Sequence, residues 1–394
     1  MQRFDNVTFH FAPTVMYETS EAFPMAREPV LRRMPDGTLF SSLYTGGPIE
    51  PHPDNIVGAI RSEDDGETWS QPEVLFKHPR RSNWPSEVFT GGDLPMLGFQ
   101  TYLYDTGFNE LKAYFSTTSD SGRTWSEPRT YPGVPANFSM RRIRVLADGT
   151  WLAPIYWPET RGGWDCDIRY DYEGAWPGMN GLEADPNIPE SQWKKYYWIF
   201  VCGVLRSTDR GARWSLHGHL TIGEKFQAWE PEVIELAPGH LKMFIRCETP
   251  EHLLWESTSH DGGLTWSDPR PGTLSNPGSK VTIYRVDDLW VMANNFCTPD
   301  QANRDNLELA VSRDGENWPC RIPVAQRHLK EEPGWESAYQ PGCRYACQVA
   351  YPDGFTDDTR QTLYLTIDGG LVAYLVKIPY AAIHEEWQRQ AKSF

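Results

Sequence analysis

The 394-residue chain has no apolar run long enough to span a bilayer. Its start, Met-Gln-Arg-Phe-Asp-Asn, has no basic segment leading into an apolar run, so no signal peptide is expected. Positive charge is scarce: 37 Lys and Arg stand against 53 Asp and Glu, a formal net charge of −16. That balance argues against nucleic acid or a membrane surface as partner, because both call for basic patches. An anionic small substrate remains compatible with it if a few Arg converge. Cysteines are few and scattered, at 166, 202, 247, 297, 320, 343 and 347, with no Cys-x-x-Cys. The odd count and the spacing argue against a disulfide scaffold or a zinc site and point to a reduced, cytoplasmic protein. A secreted chain already relieved of its leader would look the same. The ten His show no paired-ligand spacing, so neither metal nor cofactor is expected. The acidic run Asp165-Cys-Asp167-Ile-Arg-Tyr-Asp171 departs from a calcium-binding loop and reads as a solvated loop.

Aromatic residues, in contrast, are plentiful, with 17 Trp, 18 Tyr and 17 Phe to build a core. Several of the Trp close a repeated box, Ser-x-Asp-x-Gly-x-Thr-Trp. It is intact at Ser62–Trp69 and Ser259–Trp266, and recurs with one exchange at Thr118–Trp125 and Ser207–Trp214. A version one residue shorter runs from Ser312 to Trp318. In such a box the Asp carboxylate accepts turn amides, Gly takes a positive φ, and Trp packs on the neighbouring unit. The Trp spacings of 56, 89, 52 and 52 residues imply repeats of short strands, hence an all-β propeller. The long spacing leaves room for a loop insertion around 156–196 within a single domain spanning 1–394.

A second repeat runs out of phase with the boxes. Strand–turn–strand patterns occur at Arg27–Phe40, Arg141–Leu152, Glu230–Ile245 and Lys280–Met292, and from Tyr345 through an expected Asp353-Gly354 turn. Arg27 lies ten residues before its turn Gly, and Glu230 and Tyr345 nine before theirs, so all three hold equivalent places at the start of innermost strands. A sixth inner strand is expected within Phe89–Tyr104, giving a six-bladed β-propeller. Gln361–Pro379 and Val7–Phe11 are the candidates to close the ring.

The five boxes, with Arg27-Glu-Pro-Val-Leu ahead of Pro35-Asp36-Gly37, resemble the sialidase (neuraminidase) superfamily over nearly the whole chain. The resemblance implies a catalytic set. Arg27, Arg246 and Arg304 match the three arginines that clamp a substrate carboxylate, with Glu28 where the usual residue is Ile. Tyr345 matches the nucleophile, Glu230 its base, and Glu50, or Asp54 in the same loop, the acid/base. Of Arg141 and Arg142, adjacent at the start of another inner strand, one is expected to line the pocket.

These residue types suit the chemistry. Three guanidinium groups give a carboxylate charge-assisted, bidentate hydrogen bonds. A neutral Tyr hydroxyl avoids the repulsion an acidic nucleophile would meet there, but with a pKa of about 10 it needs an adjacent base. The resemblance implies a retaining exo-glycosidase acting on an acidic glycan or glycoconjugate, sialic acid being the family default. Two other readings stay open: a hydrolase or lyase for a uronic-acid glycan, and a non-catalytic glycan-binding propeller.

Overall fold

The computed structural model describes residues 7–48, 50–103, 111–161, 167–168, 194–195, 197–223, 226–298, 302–328 and 348–391. Six antiparallel sheets form the blades of a β-propeller. Their innermost strands touch one another in sequence around the central axis. The first blade is built from Arg27–Arg33, Leu39–Thr45, Ile56–Ser62 and Glu73–Phe76. The second holds Arg81–Phe89, Met96–Leu103 and Leu111–Thr117, and the third is centred on the long pair Trp151–Arg161 and Tyr197–Ser207. The fourth opens with the hairpin Ala228–Ala237 and His240–Cys247, and the fifth with Thr282–Val286 and Leu289–Asn295. The sixth combines Ala350–Asp357, Thr362–Asp368 and Val372–Pro379 with Pro13–Glu18. A helix, Tyr380–Ala391, follows. Among the described residues, no helix is long and apolar enough to cross a membrane.

The boxes do what their residue types dictate. In the first, Ser62 Oγ donates to Asp64 and accepts the Gly66 amide, while Asp64 accepts the Thr68 amide at 2.9 Å and its hydroxyl at 2.6 Å. Gly66 takes φ +90°, and its Cα faces Leu375 of the preceding blade so closely that a Cβ would come within 2.5 Å. The Trp of each box then packs backwards around the ring. Trp125 lies 5.6 Å from Phe40, and Trp318 lies 5.8 Å from Phe244, each in the blade before. The apolar core is correspondingly a series of layers between blades, such as Phe40 and Val57 against Val88, Leu97 and Phe99. Each such side chain contributes roughly 1.5–3 kcal/mol on burial.

Four expectations change in detail. The second blade's inner strand is Arg81–Phe89, and Met96–Leu103 is its neighbour, so the run 89–104 straddles the hairpin turn. The ring is closed by Pro13–Glu18 on Val372–Pro379, whereas Val7–Phe9 adds an edge strand to the fifth blade. Asp353 and Gly354 are not a turn. Both lie inside Ala350–Asp357, paired with Thr366 and Leu365, and the chain reverses between Asp357 and Thr362. Strands continue through 156–161, so the insertion leaves the sheet only after Arg161. Most of it, with the acidic run 165–171, lies outside the described residues.

Candidate active site

Three inner strands carry the same local irregularity. Arg27–Arg33, Ala228–Ala237 and Ala350–Asp357 each place one residue more than their partner strand between consecutive pairs, a β-bulge near the strand start. The bulged residues are Glu28, Glu230 and Tyr351, with φ of 44°, 41° and 49°, and each is followed by proline: Pro29, Pro231 and Pro352. Proline suits the position, since a bulge leaves an amide unpaired and proline has none. A left-handed non-glycine backbone costs on the order of 1–3 kcal/mol and is held only where its surroundings enforce it. Here three of them aim a carboxyl, a carboxyl and a phenol from separate blades at one end of the axis.

Around the Tyr351 ring stand the three arginines expected from the sequence. The guanidinium carbons of Arg304, Arg27 and Arg246 lie 5.0, 5.8 and 6.0 Å from its centroid. Arg246 Nη1 donates to the Tyr351 hydroxyl at 2.9 Å and to Glu230 at 2.6 Å, and Nη2 donates to Glu248 at 3.1 Å. Arg304 donates to the Gly278 carbonyl at 2.7 Å. Arg27 contacts Glu50 through Nη1 and donates from Nε to Asp368 at 3.1 Å. Asp368, fully buried, also accepts the Glu28 amide at 3.2 Å, so one carboxylate sets both the first arginine and the first bulge.

The loop that brings Glu50 to Arg27 is held by Asn55. Its side chain accepts from Tyr44 and the His52 amide at 2.5 Å and from Ser82 at 2.8 Å, and donates to Gly46 at 2.5 Å. Glu50 is therefore inside the cluster, its side chain 8% exposed. Asp54 is not: it is exposed, and its ion-pair partners are Lys77 at 3.4 Å and His52 at 3.5 Å. Of the adjacent pair in the third blade, Arg141 reaches the cluster, contacting Glu230 and standing 3.9 Å from Glu28. Arg142 turns down the channel and lies over the Tyr284 ring at 4.9 Å.

Below this layer a second set of charges fills the channel. Arg32 bridges Glu87 at 2.7 Å and Asp353 at 2.6 Å, and Lys280 holds the other Asp353 oxygen at 3.1 Å. Buried charges of this density persist only when mutually paired.

Burial acts on Glu230, Glu50, Glu28 and Tyr351 alike, and the neighbours decide the outcome. It pushes Glu230 upward, but Arg141 and then Arg246 outweigh it and hold the carboxyl well below its ordinary range. Burial raises Glu50, with Arg27 opposing, and raises Glu28 to about 7, with Arg141 opposing and Glu230 adding. Tyr351 is raised by burial, against Arg246 and with Glu230, so its phenol is neutral at rest.

Tyr345 lies outside the described residues. The residue that occupies the tyrosine position among the arginines is Tyr351, ten residues before the left-handed turn residue Gln361 much as Glu230 is nine before Gly239. The signal for it was the dipeptide Tyr351-Pro352, matching Glu28-Pro29 and Glu230-Pro231. Asp368 and Lys280 carry no such mark.

Residues 100–360 match the family described as a BNR repeat-like domain. The chain is 23% identical over 359 residues to a sialidase of Micromonospora viridifaciens, covering 85% of this chain and 49% of that one. It spans about half the length of the curated relatives it matches. Among solved structures it is similar to the Hadza microbial sialidase Hz136, with TM-score 0.61 and 15% identity over 90% of this chain and 66% of that one. It is equally similar to a protein of unknown function from Dyadobacter fermentans, with TM-score 0.61 and 14% identity over 95% of this chain and 99% of the other.

Proposed function

Since the chain belongs to the BNR repeat-like family of sialidase-superfamily propellers, we propose that it is a retaining exo-glycosidase releasing a terminal sugar that bears a carboxylate. The observation that carries this reading is the trio of guanidinium groups around the Tyr351 ring. Arg27, Arg246 and Arg304 bind the substrate carboxylate, and sialic acid is the first sugar to test. Glu50 now occupies Arg27, so the incoming carboxylate takes over that contact and frees Glu50 to move toward the leaving oxygen.

Tyr351 is the nucleophile. A phenol pushed up by burial does not ionise unaided, so its proton leaves as the bond to the anomeric carbon forms. Glu230, kept anionic by Arg141 and Arg246, receives that proton, and Arg246, donating to both groups, holds the pair in place. Glu50, raised by burial, is protonated more readily than an ordinary carboxyl, which suits a general acid that later activates water. The chain is read as a single domain that carries the insertion after Arg161.

The test is release of 4-methylumbelliferone from its N-acetylneuraminic acid glycoside. Wild type is expected to release it and Tyr351→Phe to lose at least about a thousandfold in rate. Equal rates in the two proteins would refute the nucleophile. Sugar binding with no release by wild type would instead identify a glycan-binding propeller.

A further inference from the structure

We infer that Glu28 is a substrate-contacting residue that selects an acidic sugar carrying a hydroxyl next to its reacting carbon. The inference rests on the catalytic reading above and deepens it.

Glu28 holds the same bulge position on the first blade that Glu230 and Tyr351 hold on theirs, with the same left-handed backbone and the same following proline. Its carboxyl feels Arg141 of the third blade, Glu230 of the fourth and Lys280 near the fifth, as well as Glu50. It also contributes to the field at Tyr351. Only a group close to the axis can be near all of these at once. Glu28 is 3% exposed, yet among the described residues its carboxyl receives no hydrogen bond. Arg141 Nη1 stands off at 3.9 Å, while Arg141 Nη2 is committed to Glu230.

The contrast with its neighbours is specific. Glu230 is held by two arginines and Glu50 by Arg27, whereas Glu28 is buried at the reacting centre without a donor. A buried carboxyl in that condition is costly unless a ligand completes it. A sialic acid presents a methylene beside its anomeric carbon, which would seal Glu28 without a partner. A hydroxyl at that carbon donates to it, or accepts from its protonated form. Discrimination by a site built around a hydrogen bond exceeds what apolar contact alone achieves.

The experiment is calorimetric titration of the full chain with two free sugars, N-acetylneuraminic acid and its 3-hydroxy analogue. Wild type, Glu28→Leu and Glu28→Gln are compared. Wild type is expected to bind the 3-hydroxy acid more tightly by on the order of tenfold to a hundredfold. Glu28→Leu is expected to erase that ratio, and Glu28→Gln, which keeps a hydrogen-bonding oxygen, to retain part of it. A wild-type ratio near one, a ratio unchanged in Glu28→Leu, or no binding of either sugar by folded wild type would each overturn the inference. Binding with the expected ratio but no release from the matching aryl glycosides would refute the glycosidase reading and leave Glu28 standing.

Discussion

Asp boxes and bulged inner strands are both repeated devices in this propeller, and they use repetition in opposite ways. A box repeats its residues and its role. At Asp64, Asp120 and Asp261 the carboxylate accepts the same amide and the same hydroxyl four residues on, at the solvent-facing rim. A bulge repeats only its backbone. The same strained turn presents Glu28, Glu230 and Tyr351 in successive uses, all buried, and each meets different partners. The box is satisfied within its own loop, so its effect ends there. The bulge residue is satisfied, or left wanting, by side chains that come in part from other blades, so its chemistry belongs to the assembled ring.

The widest separation between the two devices should come from Arg246→Ala. It removes a buried cation that Glu230 and the Tyr351 hydroxyl share, and the expected cost is about 3–5 kcal/mol in stability together with loss of glycoside release. Denaturant unfolding and the aryl-glycoside assay would check both. A variant as stable and active as wild type would erase the distinction drawn here.

Next in size are the opposite pH slopes of the two carboxyls flanking Arg141. Glu230 is depressed in the folded state, so its stability contribution is complete above the ordinary value of 4.5 and is lost as pH falls toward about 2. Glu28 is raised, so its contribution runs the other way: stability falls as pH rises from 4.5 to about 7. Each window is worth roughly 3 kcal/mol. Thermal melts should show Glu28→Gln gaining on wild type across the upper window and Glu230→Gln losing the dependence in the lower one. Parallel curves for all three proteins would contradict the assigned environments.

Asp368→Asn tests positioning at a smaller scale. Asn keeps one acceptor oxygen, enough for the Gly370 amide, but turns an NH2 toward the Glu28 amide and Arg27 and no longer offers Arg27 a charge. kcat/KM on the same glycoside should fall by on the order of a hundredfold or less, with the fold intact by circular dichroism. The smallest effect is expected of Asp64→Ala, whose hydrogen bonds are exposed and local: a Tm lower by a few degrees and unchanged kcat/KM.

The same difference explains what could be read in advance. The boxes announce themselves because their partners are two to four residues away, and from them followed the propeller, while the number of blades came from the second repeat of strand–turn–strand patterns. Arg27 and Glu230 were legible through strand phase, and Arg246, Arg304 and Glu50 only through the resemblance to the family's order of residues. The register of the sixth blade was not, because Gly354 looked like a turn residue. Its real duty is to let two strands approach. It takes φ +139°, and a Cβ there would stand 1.8 Å from the Tyr364 carbonyl oxygen, while the actual turn uses Gln361 at φ 49° and no glycine. The pairings of Asp368 with Arg27 and of Asp353 with Arg32 and Lys280 join residues hundreds of positions apart or blades apart, which no local pattern encodes.

The clasp between Pro13–Glu18 and Val372–Pro379 has a consequence for how the molecule comes into being. Pro13 pairs with Val376, so one of the first strands to be synthesised waits for nearly the last. At a ribosomal pace of 5–20 residues per second that interval is on the order of tens of seconds. Throughout it the first blade lacks the neighbour on which Trp69 and Gly66 pack, and the strand's backbone edge stays open to any other strand nearby. The nascent chain is thus an open arc until Val372–Pro379 has emerged. Its vulnerable period is set by the separation of the two clasp strands along the sequence, and ends at the moment the arc becomes a circle.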